Sequence, residues 1–121
     1  MGEVKVYARV GAPDRALEEL EFIAADTGAF YTYLPRGKCG ELGIGLIVPH
    51  RARTADNRPI DLRLGIALME INGRSAGVVV TEMDVPSPLL GVSALEALGF
   101  KVDPVEGRLE KTRRFPETPV L

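Results

Sequence analysis

From Glu3 to Val10 the chain alternates, with Val4, Val6, Ala8 and Val10 apolar and Glu3, Lys5, Tyr7 and Arg9 set between them. A period of two predicts a strand with one buried face. Gly11-Ala12-Pro13-Asp14 then reads as a turn. Residues 15–21 have helical propensity, but Leu20, Phe22 and Ala24 alternate with Glu19, Glu21 and Ile23, which favours a strand over about 18–25. Pro35 suits the first position of a short helix and Gly43 its end, giving one or two turns within 35–42.

Leu46, Val48 and Ala52 lead into a turn at Asp56-Asn57-Arg58, beyond which Ile60, Leu62, Leu64, Ile66 and Leu68 alternate strictly, the pattern of a long hairpin arm. Asn72-Gly73 between apolar runs is a two-residue hairpin signal, and the strand it opens runs through Val78, Val79 and Val80 until Pro86 and Pro88 stop it. Val92, Leu95 and Leu98 have helical spacing with Gly99 as the stop, the clearest helix in the chain. Phe100 to Asp103 and Arg108 to Thr112 read as two last short strands around Pro104-Val105-Glu106-Gly107. The pattern is mostly β, with one short helix in the C-terminal half.

With 121 residues, the chain is one domain, and 45% apolar with 26% charged residues is a globular composition that buries a core without disulfides or metal. A formal net charge of −2, with arginines scattered among acids, gives no field to hold phosphates, so no nucleic acid is expected. The opening MGEVKVYARV lacks a continuous apolar stretch, and Val6 stands where a myristoylation signal needs Ser or Thr. The reading is a soluble, cytoplasmic protein with no membrane association. One cysteine, Cys39, cannot make an internal disulfide, and with the single His50 it cannot complete a four-ligand zinc site. No metal and no cofactor are expected. His50, between Pro49 and Arg51, has no arrangement favouring the base of a catalytic triad.

Asp26-Thr27-Gly28-Ala29 lies directly after the apolar run Phe22-Ile23-Ala24-Ala25 and before Tyr31 to Leu34. The tripeptide alone arises by chance in about 2% of chains this long, so its context decides. The bland alternative is a loop in which Asp26 caps its own turn. About 60 residues further on, Leu89-Leu90-Gly91 is followed at once by the helix. Together these motifs resemble the retropepsin-like aspartic proteases, and LLGVSALEALGFKVDPVEGRLE is similar to the C-terminal signature of small prokaryotic members of that group. The likeness covers residues 3–112, leaving 113–121, with Pro116 and Pro119, as a loosely held tail.

The resemblance implies an acid-protease barrel and an aspartic endopeptidase that hydrolyses peptide bonds in a peptide or protein substrate. Two carboxylates must share one proton around a water, because like charges about 3 Å apart cannot both ionise. A single Asp-Thr-Gly can supply such a pair only from two copies, so the resemblance implies a homodimer with Asp26 catalytic in each subunit. It gives Thr27, Gly28 and Ala29 the support of the catalytic loop, and Leu89, Leu90 and Gly91 the role of packing beneath it. The candidate flap is the hairpin tip at Asp56, Asn57 and Arg58, which is charged and lacks the glycines of retroviral flaps. Ala24-Ala25 stands where many relatives carry a bulkier residue. The rival readings are a catalytically inactive peptide-binding or dimerisation module on the same fold, and a small β-barrel ligand-binding protein in which Asp26 is only a turn residue.

Other features have plain readings. Arg51, Arg53, Arg58 and Arg63 are expected on a solvated strand edge, not as a site for acidic substrates. Phe30, Tyr31 and Tyr33 are expected in the core more than in a pocket, and Cys39 is expected as a small core filler. Gly40-Glu41-Leu42-Gly43-Ile44-Gly45 lacks the context of a phosphate-binding loop.

Overall fold

A computed structural model describes residues 3–25 and 29–114. Strand β1 (Glu3–Gly11) pairs antiparallel with β2 (Glu18–Ala25) along its whole length, from Glu3 opposite Ala25 to Val10 opposite Glu18. The alternation in β1 is realised as read: Val4, Val6, Ala8 and Val10 are buried and the residues between them exposed. In β2, Phe22 and Ala24 face the same core, so the strand reading of this segment wins over the helical one. Strand β3 (Thr32–Pro35) follows, then the short helix α1 (Lys38–Leu42), closed by Gly43 in the left-handed region at φ 78°.

Strands β4 (Val48–Arg53) and β5 (Pro59–Ile71) form the long hairpin, and Asn72 and Gly73, both at positive φ, turn β5 into β6 (Arg74–Met83). Helix α2 (Val92–Leu98), capped by Gly99, packs on β6, and β7 (Phe100–Asp103) with β8 (Arg108–Lys111) forms a separate two-stranded ribbon. The main sheet runs β2-β1-β5-β6-β3, with β4 added to β5. Among the described residues no helix is long and apolar enough to cross a membrane.

Two expectations are corrected. The sheet does not close into a barrel: its path ends in β2 and β3, which among the described residues are joined through isolated bridges from Leu89 to Ile23 and to Tyr33. Strand β5 also changes which face it buries. Leu62 points inward, but from Gly65 onward the inner positions are Gly65, Ala67, Met69 and Ile71, and Ile66 is 63% exposed. The strand is apolar on both faces, so its five-residue alternation carries no information about which face meets the core. At the switch, a Cβ on Gly65 would lie 2.3 Å from the carbonyl oxygen of Gly45, so the chain segments touch backbone to backbone there.

Phe22, Leu34, Met69, Ile71, Leu98, Val10 and Val80 are the largest apolar side chains wholly inside, and Cys39 is buried beside them as a filler. At the C-terminal end of α2 two arginines hold the last carbonyls. Buried Arg74 donates from Nη1 to Leu98 O and Gly99 O, both at 3.0 Å, and from Nη2 to Arg113 O at 2.8 Å, with its guanidinium 4.8 Å from the centre of the Phe100 ring. Arg113 donates in turn to Glu96 O at 2.8 Å and Ala97 O at 3.0 Å. Positive charge at a helix C-terminus is favourable, and here it also satisfies the carbonyls that the helix leaves without partners.

Candidate functional site

Asp26, Thr27 and Gly28 lie outside the described residues. Their two stems are described, and both are bound to the same stretch of chain, Pro88 to Ser93. On the entry side, Ile23 N–H donates to Pro88 O and Leu90 N–H donates to Ile23 O, each at 2.9 Å. On the exit side, Tyr33 and Leu89 exchange N–H···O bonds at 2.9 Å, Val92 N–H donates to Ala29 O at 2.8 Å, and Ser93 donates to Phe30 O from both its N–H (3.0 Å) and its hydroxyl (2.6 Å). A loop whose ends hang on separate elements can splay apart. One whose ends share a clamp moves as a unit.

The clamp is built from the motif Leu89-Leu90-Gly91. Leu90 is buried, and Leu89 bridges β2 and β3 through its backbone. The Gly91 N–H donates at 3.0 Å to the hydroxyl of Thr32, which is wholly buried. A Cβ on Gly91 would lie 2.3 Å from Tyr31 C and 2.6 Å from Phe30 O, so only glycine fits. Helix α2 starts immediately after this contact, and Val92 and Ser93, its first residues, make the bonds to Ala29 and Phe30.

The aromatic residues of the exit stem are not core. Phe30 is 60% exposed, and the wholly buried positions beside it are Thr32 and Leu34. Phe30 and Tyr31 precede β3, so the strand does not turn them inward, and within β3 Tyr33 lies on the face opposite to buried Thr32 and Leu34. Burial, with a smaller contribution from Tyr31, pushes the Tyr33 phenol above its ordinary value. Phe30 and Tyr31 meet edge to face at 5.1 Å, and Tyr31 meets the His50 ring in the same way at 5.6 Å. The Tyr31 hydroxyl and His50 Nε2 are hydrogen-bonded at 3.0 Å. This contact was invisible in the sequence, where His50 stands alone and no local pattern sets which strand residue it faces.

The hairpin β4–β5 carries the predicted flap residues at its tip. Asn57 takes φ 65°, Thr54 and Arg58 close the turn with backbone bonds, and the Thr54 hydroxyl both donates to Asp56 and accepts from Arg58 N–H. The Thr54 hydroxyl, and then Arg58 beside it, hold the Asp56 carboxyl below the usual carboxylate range. Asparagine tolerates the left-handed region, which is how the tip dispenses with glycine. The four arginines are spent within the hairpin and its base: Arg51 on Asp61 (3.2 Å), Arg53 on Asn57 O (3.1 Å), Arg58 on Asp56 (2.8 Å) and Arg63 on Leu46 O (2.9 Å). The solvated-edge reading stands.

A groove of about 500 Å³ lies along the hairpin between Pro49, His50, Arg51, Asp61, Leu62 and Arg63. Among the described residues no three His, Cys, Asp or Glu side chains converge as metal ligands would. No protein-family model matches the chain, and no curated protein matches it.

Proposed function

We propose that the chain is an aspartic endopeptidase of the retropepsin type, acting on peptide or protein substrates as a homodimer in which Asp26 of each copy forms the catalytic pair. The observation that carries this reading is the common clamp: the entry stem of Asp26-Thr27-Gly28 is hydrogen-bonded to Pro88 and Leu90, and the exit stem to Leu89, Gly91 and the first residues of α2. A carboxylate pair that shares one proton needs a separation fixed by rigid backbone, and stems bound to one segment support that requirement. In this reading the β4–β5 hairpin, with Asp56, Asn57 and Arg58 at its tip, serves as the flap over a bound chain.

In the reaction, the ionised Asp26 takes a proton from water as its oxygen attacks the scissile carbonyl carbon, and the protonated Asp26 of the second copy donates to the carbonyl oxygen. Collapse of the tetrahedral intermediate breaks the C–N bond, the leaving amine takes up the proton first removed from water, and one hydroxyl of the intermediate returns its proton to the second Asp26 as the carbonyl re-forms. The pair titrates as a unit and gives a bell-shaped rate profile on the acid side.

Cleavage of an unbiased peptide library from about pH 3 to about pH 8 tests the reading, with wild type and Asp26→Asn compared at several protein concentrations. Expected are cleavage by the wild type, its loss in the variant, and activity that falls as dilution dissociates the dimer. Activity that survives Asp26→Asn, or persists in a proven monomer, overturns it. The internally bonded, glycine-free hairpin tip favours a second reading, an inactive peptide-binding or dimerisation module. A dimeric wild type that binds peptides without cutting them selects that one.

A further inference from the structure

We infer that Tyr31 and His50 are positioning residues that couple the hairpin β4–β5 to the exit stem of the Asp26 segment. As a statement about catalysis, this rests on the peptidase reading above. As a statement about the hairpin, it stands on geometry alone.

Beyond Leu62, the one buried side chain in the described residues 48–62, the hairpin has few other ties. Strand β4 pairs only with residues 59–64 of β5, and its side chains are nearly all exposed. The base is fixed where the Thr81 hydroxyl donates to Arg63 O at 2.8 Å and Ile47 N–H donates to Leu64 O at 3.0 Å. Among the described residues, the hydrogen bond between Tyr31 and His50 is the one side-chain hydrogen bond that joins residues 48–62 to another part of the chain. Every other side-chain bond in that stretch is internal to the hairpin.

The contact is well placed to set the hairpin angle. His50 sits opposite Leu62 near the middle of the arm, between the fixed base and the tip. Tyr31 follows Ala29 and Phe30, whose carbonyls are bonded to Val92 and Ser93, and Gly91 packs against its own backbone, so its position is that of the clamp. The edge-to-face stacking of Phe30, Tyr31 and His50 adds a directional contact. Loss of one exposed hydrogen bond shifts such an equilibrium by about two- to fivefold. The consequence is a hairpin arm whose angle to the exit stem is set by the Tyr31–His50 contact.

Hydrogen–deuterium exchange on the full-length protein tests the coupling without reference to activity. Tyr31→Phe removes only the hydroxyl and keeps the ring packing. It is expected to raise exchange several-fold in residues 48–64 and leave β1, β2 and α2 unchanged. His50→Gln, whose amide can reach the same hydroxyl, is expected to stay near wild type, whereas His50→Ala matches or exceeds Tyr31→Phe. Hairpin exchange that is unchanged in both Tyr31→Phe and His50→Ala overturns the proposal, as does an increase spread over the whole sheet. If the wild type cleaves peptides, Tyr31→Phe is further expected to raise KM several-fold with kcat within about twofold; unchanged KM removes the catalytic part. If it cleaves nothing, the peptidase reading fails, and exchange alone decides the coupling.

Discussion

A Cβ placed on Gly91 would lie 2.3 Å from the carbonyl carbon of Tyr31. Gly91 itself has an extended backbone, with φ −84°, which any residue adopts, so the constraint is pure proximity. Gly91→Ala must push the exit stem away from the clamp. The expected loss is about 3 kcal/mol of unfolding free energy, read by urea denaturation. A loss under about 0.5 kcal/mol would show that the stem has room to give.

Thr32 offers a finer probe of the same contact. Its buried hydroxyl accepts the Gly91 N–H, and Thr32→Val keeps the shape while removing the acceptor. The orphaned N–H is expected to cost about 1–3 kcal/mol, whereas Thr32→Ser, which retains the oxygen, loses less. Thermal unfolding of the two variants side by side gives the ordering, and a Val variant more stable than the Ser variant contradicts it.

Arg74→Met keeps much of the apolar stem but removes the donors to Leu98, Gly99 and Arg113. The expected destabilisation is about 2–4 kcal/mol. Arg74→Lys recovers only part of it, because an ammonium cannot span the three carbonyls as a planar fork does. Chemical denaturation of both variants checks the order.

The buried Cys39 thiol gives a pH signature. Burial, and then the Glu82 carboxylate beside it, push the thiol from 9.0 up to about 12. Between those values the folded protein keeps a proton that the unfolded chain releases, so folding binds protons and stability falls as pH rises. The expected result is a steeper loss of unfolding free energy between about pH 9 and about pH 11 in the wild type than in Cys39→Ala. Parallel slopes would show that the thiol does not contribute. In the folded protein at neutral pH, Cys39 is also expected to resist alkylation that is rapid after unfolding.

Local periodicity carried most of the element list. The alternation of Val4 to Val10, the Asn72-Gly73 turn and the Val92, Leu95 and Leu98 spacing each lie within a few residues, and each forms as read. What depended on distant partners was not legible. Strand β3 runs parallel to β6, with Thr32 opposite Val80, and nothing local announces a parallel neighbour almost 50 residues away. The face switch in β5 was hidden because Ile66 and Leu68 are as apolar as the Met69 and Ile71 that displace them from the core. Of the candidate site, the glycine of Leu89-Leu90-Gly91 was readable as a motif, and the structure supplies its reason in Tyr31. Tyr31 and His50 were each noticed for other roles, and their pairing depends on how far the hairpin folds back.

The arginine pair at the end of α2 bears on how the protein is made. Arg74 is buried against carbonyls that belong to residues 98, 99 and 113, so the corner it occupies cannot form from the first half of the chain. During synthesis from the N-terminus, the β1–β2 and β5–β6 hairpins emerge with their partners already available. The guanidinium of Arg74 meets its first two acceptors only once Leu98 and Gly99 have been made, and its third only with Arg113. A chain stopped between Gly99 and Arg113 can therefore bond Arg74 through Nη1 but lacks the acceptor of Nη2 and the two bonds that Arg113 makes to Glu96 and Ala97.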